Sequence, residues 1–276
     1  MKLLIALTAL LACSAAFADL NYYPSEFEKN AKSGLLKDAA LKDELFKILN
    51  SSHQKVTAGH DIITTNCPNA DCYRQIQLGY DNARKKLFGE LDIKKDNRGY
   101  YVKDVYCNFE IANNQIAPGK IPSSSLLNCE HTWPQSRFSR AFPEGLQKGD
   151  LNHLYITDSR ANSLRSSNPF GEVQDGGHPS GKCVDSMLGK PVGGGGSMVF
   201  EPPQEHKGNV ARALFYFSVR YKLPIDSRQE AILRQWHKDD PVDEADRERN
   251  EKIFGMQNNR NPFVDFPELV DDIADF

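Results

Sequence analysis

Asn128–Ser136 reads NCEHTWPQS, and Gly149–Gly171 reads GDLNHLYITDSRANSLRSSNPFG. Most of the polar side chains that a hydrolytic site needs fall in these two runs, and the flanking chain reads as scaffold. In the second run, Leu151 to Thr157 is apolar enough for a strand. Asp158 then stands where a helix N-cap belongs, opening a helix through Ala161, Asn162, Leu164 and Arg165. Asn162 and Arg165, three apart, share a helical face, and Leu164 is expected to face the core. A strand carrying His131, a return strand and a helix carrying Asn162 would therefore converge on one place.

The side chains at that place suggest a chemistry. Glu130 and Asn162 are both oxygen donors, and Mg2+ accepts one or two protein oxygens while keeping waters and substrate phosphate oxygens. His131 does not easily ligate the same ion, because neighbouring residues of an extended segment point to opposite sides. It is better suited to take a proton from water, since its side chain titrates near neutrality. Arg165 beside Asn162 offers bidentate contact to phosphate oxygens. Taken singly, His131 reads as a surface histidine and Glu130 as a solvated charge; their company gives both a shared site.

The rest of the chain bounds the class. Lys2 followed by LLIALTALLA and then Ala16-Phe17-Ala18 reads as a secretory signal over residues 1–18, which leaves Asp19 as the mature N-terminus. Leu10 to Cys13 also resembles a lipoprotein box, with a very short segment before Cys13. No later stretch is long and apolar enough to span a membrane. With 39% hydrophobic and 26% charged residues there is material for a real core. A net charge of -3 does not suit a generally basic nucleic-acid coat, although a locally basic cleft is compatible with it. Without Cys13 an odd number of cysteines remains (Cys67, Cys72, Cys107, Cys129 and Cys183), which in an oxidising compartment implies two disulfides and one free thiol. Cys67 and Cys72 could close a small local loop; a zinc site there lacks a second Cys/His pair at ligand spacing.

Along the chain, residues 19–88 carry a mostly helical pattern, and Arg84, Lys85 and Lys86 face either a polyanion or solvent. Gly99–Cys107 alternates as a strand. Gly193 to Gly196 read as a mobile surface loop because no phosphate-loop residues follow them. Three helices close the chain, one of them opened by a capping box at Ser227–Glu230. Leu214, Phe215, Phe217, Ile232, Leu233, Trp236 and Phe254 read as core. The expected architecture is α+β, a mixed helical domain with a small antiparallel ββα-metal core, forming a single domain over 19–276.

CEHTWPQS, DLNHL and ANSLRSSNPFG resemble the active-site blocks of the bacterial endonuclease I family of secreted, non-specific nucleases. GNVARALFYFSVRY and QNNRNPFVDFPELV resemble its C-terminal blocks, so the likeness covers most of the mature chain. The resemblance implies a ββα-metal core and Mg2+-dependent cleavage of DNA, and often RNA, to 5′-phosphate ends. It also implies Glu130 and Asn162 as metal ligands, with Mn2+ or Ca2+ as alternatives to Mg2+, and His131 as general base beside Glu130 in the catalytic pair. Arg165 is the expected substrate-binding residue. The expectation is a monomeric periplasmic or extracellular enzyme, against the alternatives of an exported non-catalytic nucleic-acid-binding protein of the same fold and a hydrolase of another exported substrate. Relatives often carry an acidic residue just before DLNHL, where this chain has Lys148 and Gly149, which leaves Asp150 as the candidate partner of His131. An Arg found between the blocks in some relatives has Arg137, Arg140 and Lys148 as stand-ins.

Overall fold

The computed structural model describes residues 20–67 and 69–276. The signal-peptide reading of residues 1–18, with the terminus at Asp19, lies outside the described residues. Helices α1 (Ser25–Lys32) and α2 (Asp38–Asn50) come first, and α2 buries Leu41, Leu45, Ile48 and Leu49 at helical spacing. The helical expectation for residues 19–88 fails between α2 and Tyr80. Strands β1 (Ser52–Gln54), β2 (Ile62–Thr64) and β3 (Cys72–Tyr73) form an antiparallel sheet of order β2-β1-β3. Two features favour extension there: the β-branched run Ile62 to Thr64 and the Cys67–Cys72 disulfide, which closes a loop too short for a packed helix.

Helix returns as α3 (Tyr80–Lys86) and continues into a wider π-type turn over Leu87–Leu91. A second sheet, β4 (Lys94–Asp96), β5 (Gly99–Lys103) and β6 (Glu110–Ile111), follows in sequential order. The strand expected to reach Cys107 therefore ends at Lys103. Buried Asp104 turns the chain, its carboxylate accepting the N–H groups of Tyr106 and Cys107.

The two runs read first in the sequence form the next unit. Strand β7 (Leu127–His131) pairs antiparallel with β8 (Leu154–Asp158), in register from Leu127 opposite Asp158 to His131 opposite Leu154. Between them lies the short helix α4 (Glu144–Lys148), and after β8 comes α5 (Ser159–Arg165). Asp158 caps α5, accepting from the N–H groups of Arg160 and Ala161. Two expectations shift. The return strand starts at Leu154, because Leu151–His153 is a 3-10 turn capped by Asp150. Leu164 is 37% exposed, since the face of α5 that meets the sheet carries Ala161 and Arg165, four apart.

A third antiparallel sheet joins β9 (Val173–Gly177), β10 (Met187–Pro191) and β11 (Val199–Glu201) in the order β11-β10-β9. Gly193 to Gly196 between β10 and β11 all hold left-handed φ, from 70° to 82°, which glycine adopts without a Cβ clash. Helices α6 (Gln204–Tyr221), α7 (Ser227–Asp239), α8 (Glu244–Gln257) and α9 (Pro262–Asp265) complete the α+β architecture. The cap of α7 is Asp226 rather than Ser227; a capping box is found instead on α8, between Asp243 and Asp246. Leu214, Phe215, Phe217, Leu233 and Trp236 are buried as expected, with Ile232 and Phe254 packed against them. A second apolar cluster takes Leu127 and Cys129 from β7, Leu154 and Ile156 from β8, and Ala83 and Leu87 from the α3 segment. It anchors one face of the β7–β8 pair. Among the described residues no helix is long and apolar enough to cross a membrane.

Candidate active site

The pleat of β7 sends Glu130 and His131 to opposite faces. Opposed residues in the register share a face, so Leu127, Cys129 and His131 lie with Leu154 and Ile156, while Glu130 lies with Tyr155 on the α5 side. Both side chains still reach one cleft of about 340 Å³ at the end of the strand, lined also by Gln135, Asn162, Arg165 and Ser166. The structure thus brings the four residues singled out in the sequence to a common place.

Glu130 is 2% exposed. Its Oε1 accepts the Tyr106 hydroxyl at 2.7 Å and lies 3.0 Å from Nη1 of Arg165. Burial raises its carboxyl pKa above the usual value, and Arg165 and the Tyr106 hydroxyl oppose that rise. Arg165 is equally buried. Nη1 also donates to the His131 carbonyl at 3.0 Å, Nη2 donates to the Thr132 carbonyl at 2.7 Å, and the guanidinium lies 4.3 Å from the Phe170 ring centroid. The fork expected to meet phosphate is turned onto the strand that carries the catalytic candidates.

His131 is held at both nitrogens. Nε2 lies 3.0 Å from the Lys148 carbonyl, an acceptor only, so Nε2 bears the proton. Nδ1 is then the lone-pair nitrogen, and the Gln135 amide donates to it at 3.2 Å. Burial, reinforced by neighbouring His153 and by the positive charges of Lys148 and Arg165, pushes the imidazole pKa down to about 3, so it is neutral at pH 7. Asp150 is not its partner. The Asp150 carboxylate accepts from the hydroxyls of Tyr216 and Tyr221 at 2.7 and 2.8 Å and from Gln257 at 2.8 Å, all inside the protein. A side chain at position 148 was never needed for His131, because the main chain does the holding.

Asn162 is partly exposed, and its side-chain amide makes no hydrogen bond to a described residue. Glu130 and Asn162 are then two hard oxygen donors at the mouth of one cleft. No group of three or more His, Cys, Asp or Glu suited to a metal exists among the described residues. A donor set this sparse fits a cation that keeps its waters and takes substrate oxygens, as Mg2+ does, better than a caged Zn2+ or Ca2+.

Sequence reasoning missed Tyr106, Gln135 and the Lys148 carbonyl. Gln135 stood in the quoted CEHTWPQS run, four residues after His131, and was readable as a neighbour. Tyr106 was hidden in an expected strand, and it is fixed by the Cys107–Cys183 disulfide and by its own carbonyl accepting the Ser186 hydroxyl at 2.7 Å. That disulfide and Cys67–Cys72 leave Cys129 as the buried free thiol among the described residues, matching the expected two bridges.

Comparison with known proteins gives this arrangement a family. An extracellular ribonuclease of Bacillus subtilis (strain 168) is 35% identical over 167 residues, 53% of this chain and 53% of its own. The chain therefore spans about half the length of that relative. An extracellular deoxyribonuclease of Aeromonas hydrophila is 26% identical over 184 residues, 58% of this chain and 78% of its own. Endonuclease-1 of Buchnera aphidicola subsp. Acyrthosiphon pisum (strain APS) is 26% identical over 117 residues, covering 42% and 44%. The family described as Endonuclease I matches residues 38–268, a span holding β7, β8, α5 and every cleft residue named above, and the chain belongs to that family.

Proposed function

We propose that the protein is an exported, metal-dependent endonuclease that hydrolyses phosphodiester bonds of DNA, and of RNA as well, to 5′-phosphate ends. The observation that carries this reading is the tautomer of His131. A neutral imidazole, its Nε2–H committed to the Lys148 carbonyl, keeps its Nδ1 lone pair for the cleft that Glu130 and Asn162 line, where the Gln135 amide donates to it. Nδ1 takes a proton from water, the water oxygen attacks phosphorus, and the P–O3′ bond breaks, leaving a 5′-phosphate and a 3′ oxygen that takes up a proton from solvent to become a hydroxyl. Glu130 and Asn162 would hold Mg2+, with Mn2+ or Ca2+ as alternatives, and the bound cation supplies charge neutralisation at the phosphoryl oxygens. Arg165 acts as a positioning residue: it fixes Glu130 and the main chain at His131 and Thr132. Strand, return strand and helix in this order, with these residues at the strand end, support a ββα-metal core. The ribonuclease and deoxyribonuclease names of the relatives support nucleic acid as substrate, and two disulfides together with extracellular and periplasmic relatives support export.

Digestion of plasmid DNA with and without EDTA tests the reading, together with His131→Ala. The variant should lose roughly 100- to 10,000-fold in rate while keeping Mn2+ binding by calorimetry. Cleavage unaffected by EDTA, or a fully active His131→Ala protein, would overturn it.

A further inference from the structure

Beside His131, next to but outside the residues that line the cleft, two loops meet backbone to backbone. Gly79, at φ +70°, precedes Tyr80 at the start of α3, and Gly149 follows Lys148 at the end of α4. A Cβ on Gly149 would lie 3.0–3.1 Å from the Gly79 backbone, so glycine lets the two main chains come this close without one giving way. The approach sets the Tyr80 ring beside Lys148. The Lys148 ammonium lies 4.9 Å from the ring centroid, the Arg84 guanidinium 5.5 Å, and the His131 ring 5.5 Å.

One aromatic ring thus gathers two cations next to the candidate base. Among the described residues neither Arg84 nor Lys148 has a carboxylate within ion-pair distance, although Asp81 is on the same helix. Lys86, two positions along α3, is neutralised by Glu90 at 2.8 Å. An exposed cation–π interaction is weak, and like charges around one ring oppose each other. An anion bound to either cation reduces that opposition. Lys148 has a double connection to the site, because its carbonyl accepts the Nε2–H of His131 while its ammonium stays free.

We propose that Tyr80, Arg84 and Lys148 form a second phosphate-binding site, which takes a phosphodiester of the substrate strand flanking the bond that is cut. This rests on the nuclease reading above. The ligand class follows from the groups present. Two unpaired cations bind an anion, and an aromatic ring holds them in place without competing as a carboxylate would. Arg165 is spent internally, so this site supplies the cationic wall expected of that residue. Binding here would register the strand against Nδ1 of His131 without reading bases.

The test is DNA binding in the His131→Ala background, which separates binding from cleavage. Affinity for a labelled duplex oligonucleotide is measured in Mg2+ between 50 and 200 mM KCl, about the range over which phosphate binding is resolved by salt. Removing one neutralised phosphate lowers the log–log salt slope by about 0.9. Arg84→Gln combined with Lys148→Gln should lower it by about 0.9, by similar amounts for different sequences. Lys85→Gln, on the same helix, should leave the slope unchanged. Tyr80→Leu keeps both charges but releases them, so it should weaken binding with little change in slope. Lys148→Arg should restore most of the affinity of a Lys148→Gln protein. A double variant that binds with the parent slope, in a protein whose wild type cleaves DNA, overturns the site alone. A parent that shows no salt-dependent DNA binding overturns the site and the nuclease reading together. Thermal melting checks that each variant is folded, and a slope that falls only with the fold counts against the site.

Discussion

Replacing Arg165 by Met separates the two roles that this residue could have. In the sequence it looked like a phosphate ligand, but its guanidinium is 2% exposed and joins the buried Glu130 carboxylate at 3.0 Å. Removing one partner of a buried ion pair leaves the other charge uncompensated and costs about 3–5 kcal/mol. The carbonyls of His131 and Thr132 also lose their donors, so the upper part of that range is expected. At about 2–4 °C per kcal/mol for a chain of this size, Tm should fall by roughly 6–20 °C. Exposed Arg137, whose Nη2 donates only to the Ser167 carbonyl at 3.1 Å, is the comparison, and Arg137→Ala should move stability by about 0.5 kcal/mol or less. Thermal unfolding of both variants, beside DNA affinity at several salt concentrations, is the assay. The positioning role is refuted if Arg165→Met melts within about 2 °C of wild type while its salt slope falls by the equivalent of about one phosphate.

Two further outcomes follow from buried groups away from any substrate. His206 is pushed down to about 3 by burial, then by Arg249 and Arg212, and buried His153 to about 4. Both are neutral when folded and become charged on unfolding below the unperturbed value near 6.5. Their contribution to stability is thus complete above that value and is lost as pH falls through the window toward 3–4, at up to about 1.4 kcal/mol per pH unit each. Melts from pH 7 to pH 5 should show falling Tm, and His206→Leu should flatten the trend; an unchanged trend in that variant removes His206 as a cause. The Cys107–Cys183 bridge spans 76 residues and Cys67–Cys72 only 5, so loop-closure entropy assigns about 4 and about 2 kcal/mol to them. A Cys107→Ser/Cys183→Ser protein should be less stable and also less active than a Cys67→Ser/Cys72→Ser protein, because Tyr106, the hydroxyl partner of Glu130, adjoins the long bridge. Equal activity in the two proteins would detach that bridge from the site.

What could be read in the sequence was whatever local pattern dictates. The N-cap at Asp158, the helix carrying Asn162, the apolar stripe of α6 and the parity of the cysteines depend on neighbours within a few positions, and each is found in the structure. The convergence of Glu130, His131, Asn162 and Arg165 on one cleft was legible for the same reason, since a hairpin-like pair and its following helix are close in sequence. What failed depends on distant partners. Leu164 was assigned inward from its hydrophobicity, but four-residue spacing gave the buried face to Ala161 and Arg165. The strands between Ser52 and Tyr73 are too short to print a period. Arg165 was given an outward role because nothing local shows that Tyr106 and Glu130 would form a buried acidic partner for it.

The same distinction explains how His131 is held although Lys148 and Gly149 stand where the family resemblance led to the expectation of an acidic side chain. His131 is oriented by the carbonyl of Lys148 and His153 by that of Gln147, at 2.8 Å, so what must be fixed is the path of the main chain through residues 147–150. That path is fixed from behind. The Gln147 side chain bridges the Ser139 N–H and the carbonyls of Ser139 and Phe142, while Asp150 is tied to Tyr216 and Tyr221 on α6 and to Gln257 on α8. Densely bonded buried polar networks of this kind favour one arrangement, because any slip leaves several groups unpaired at once. Asp150 thus acts on His131 only indirectly, by holding the loop whose carbonyl orients the imidazole. The side chain at position 148 is then free to be a lysine, whose ammonium lies 4.9 Å from the Tyr80 ring centroid.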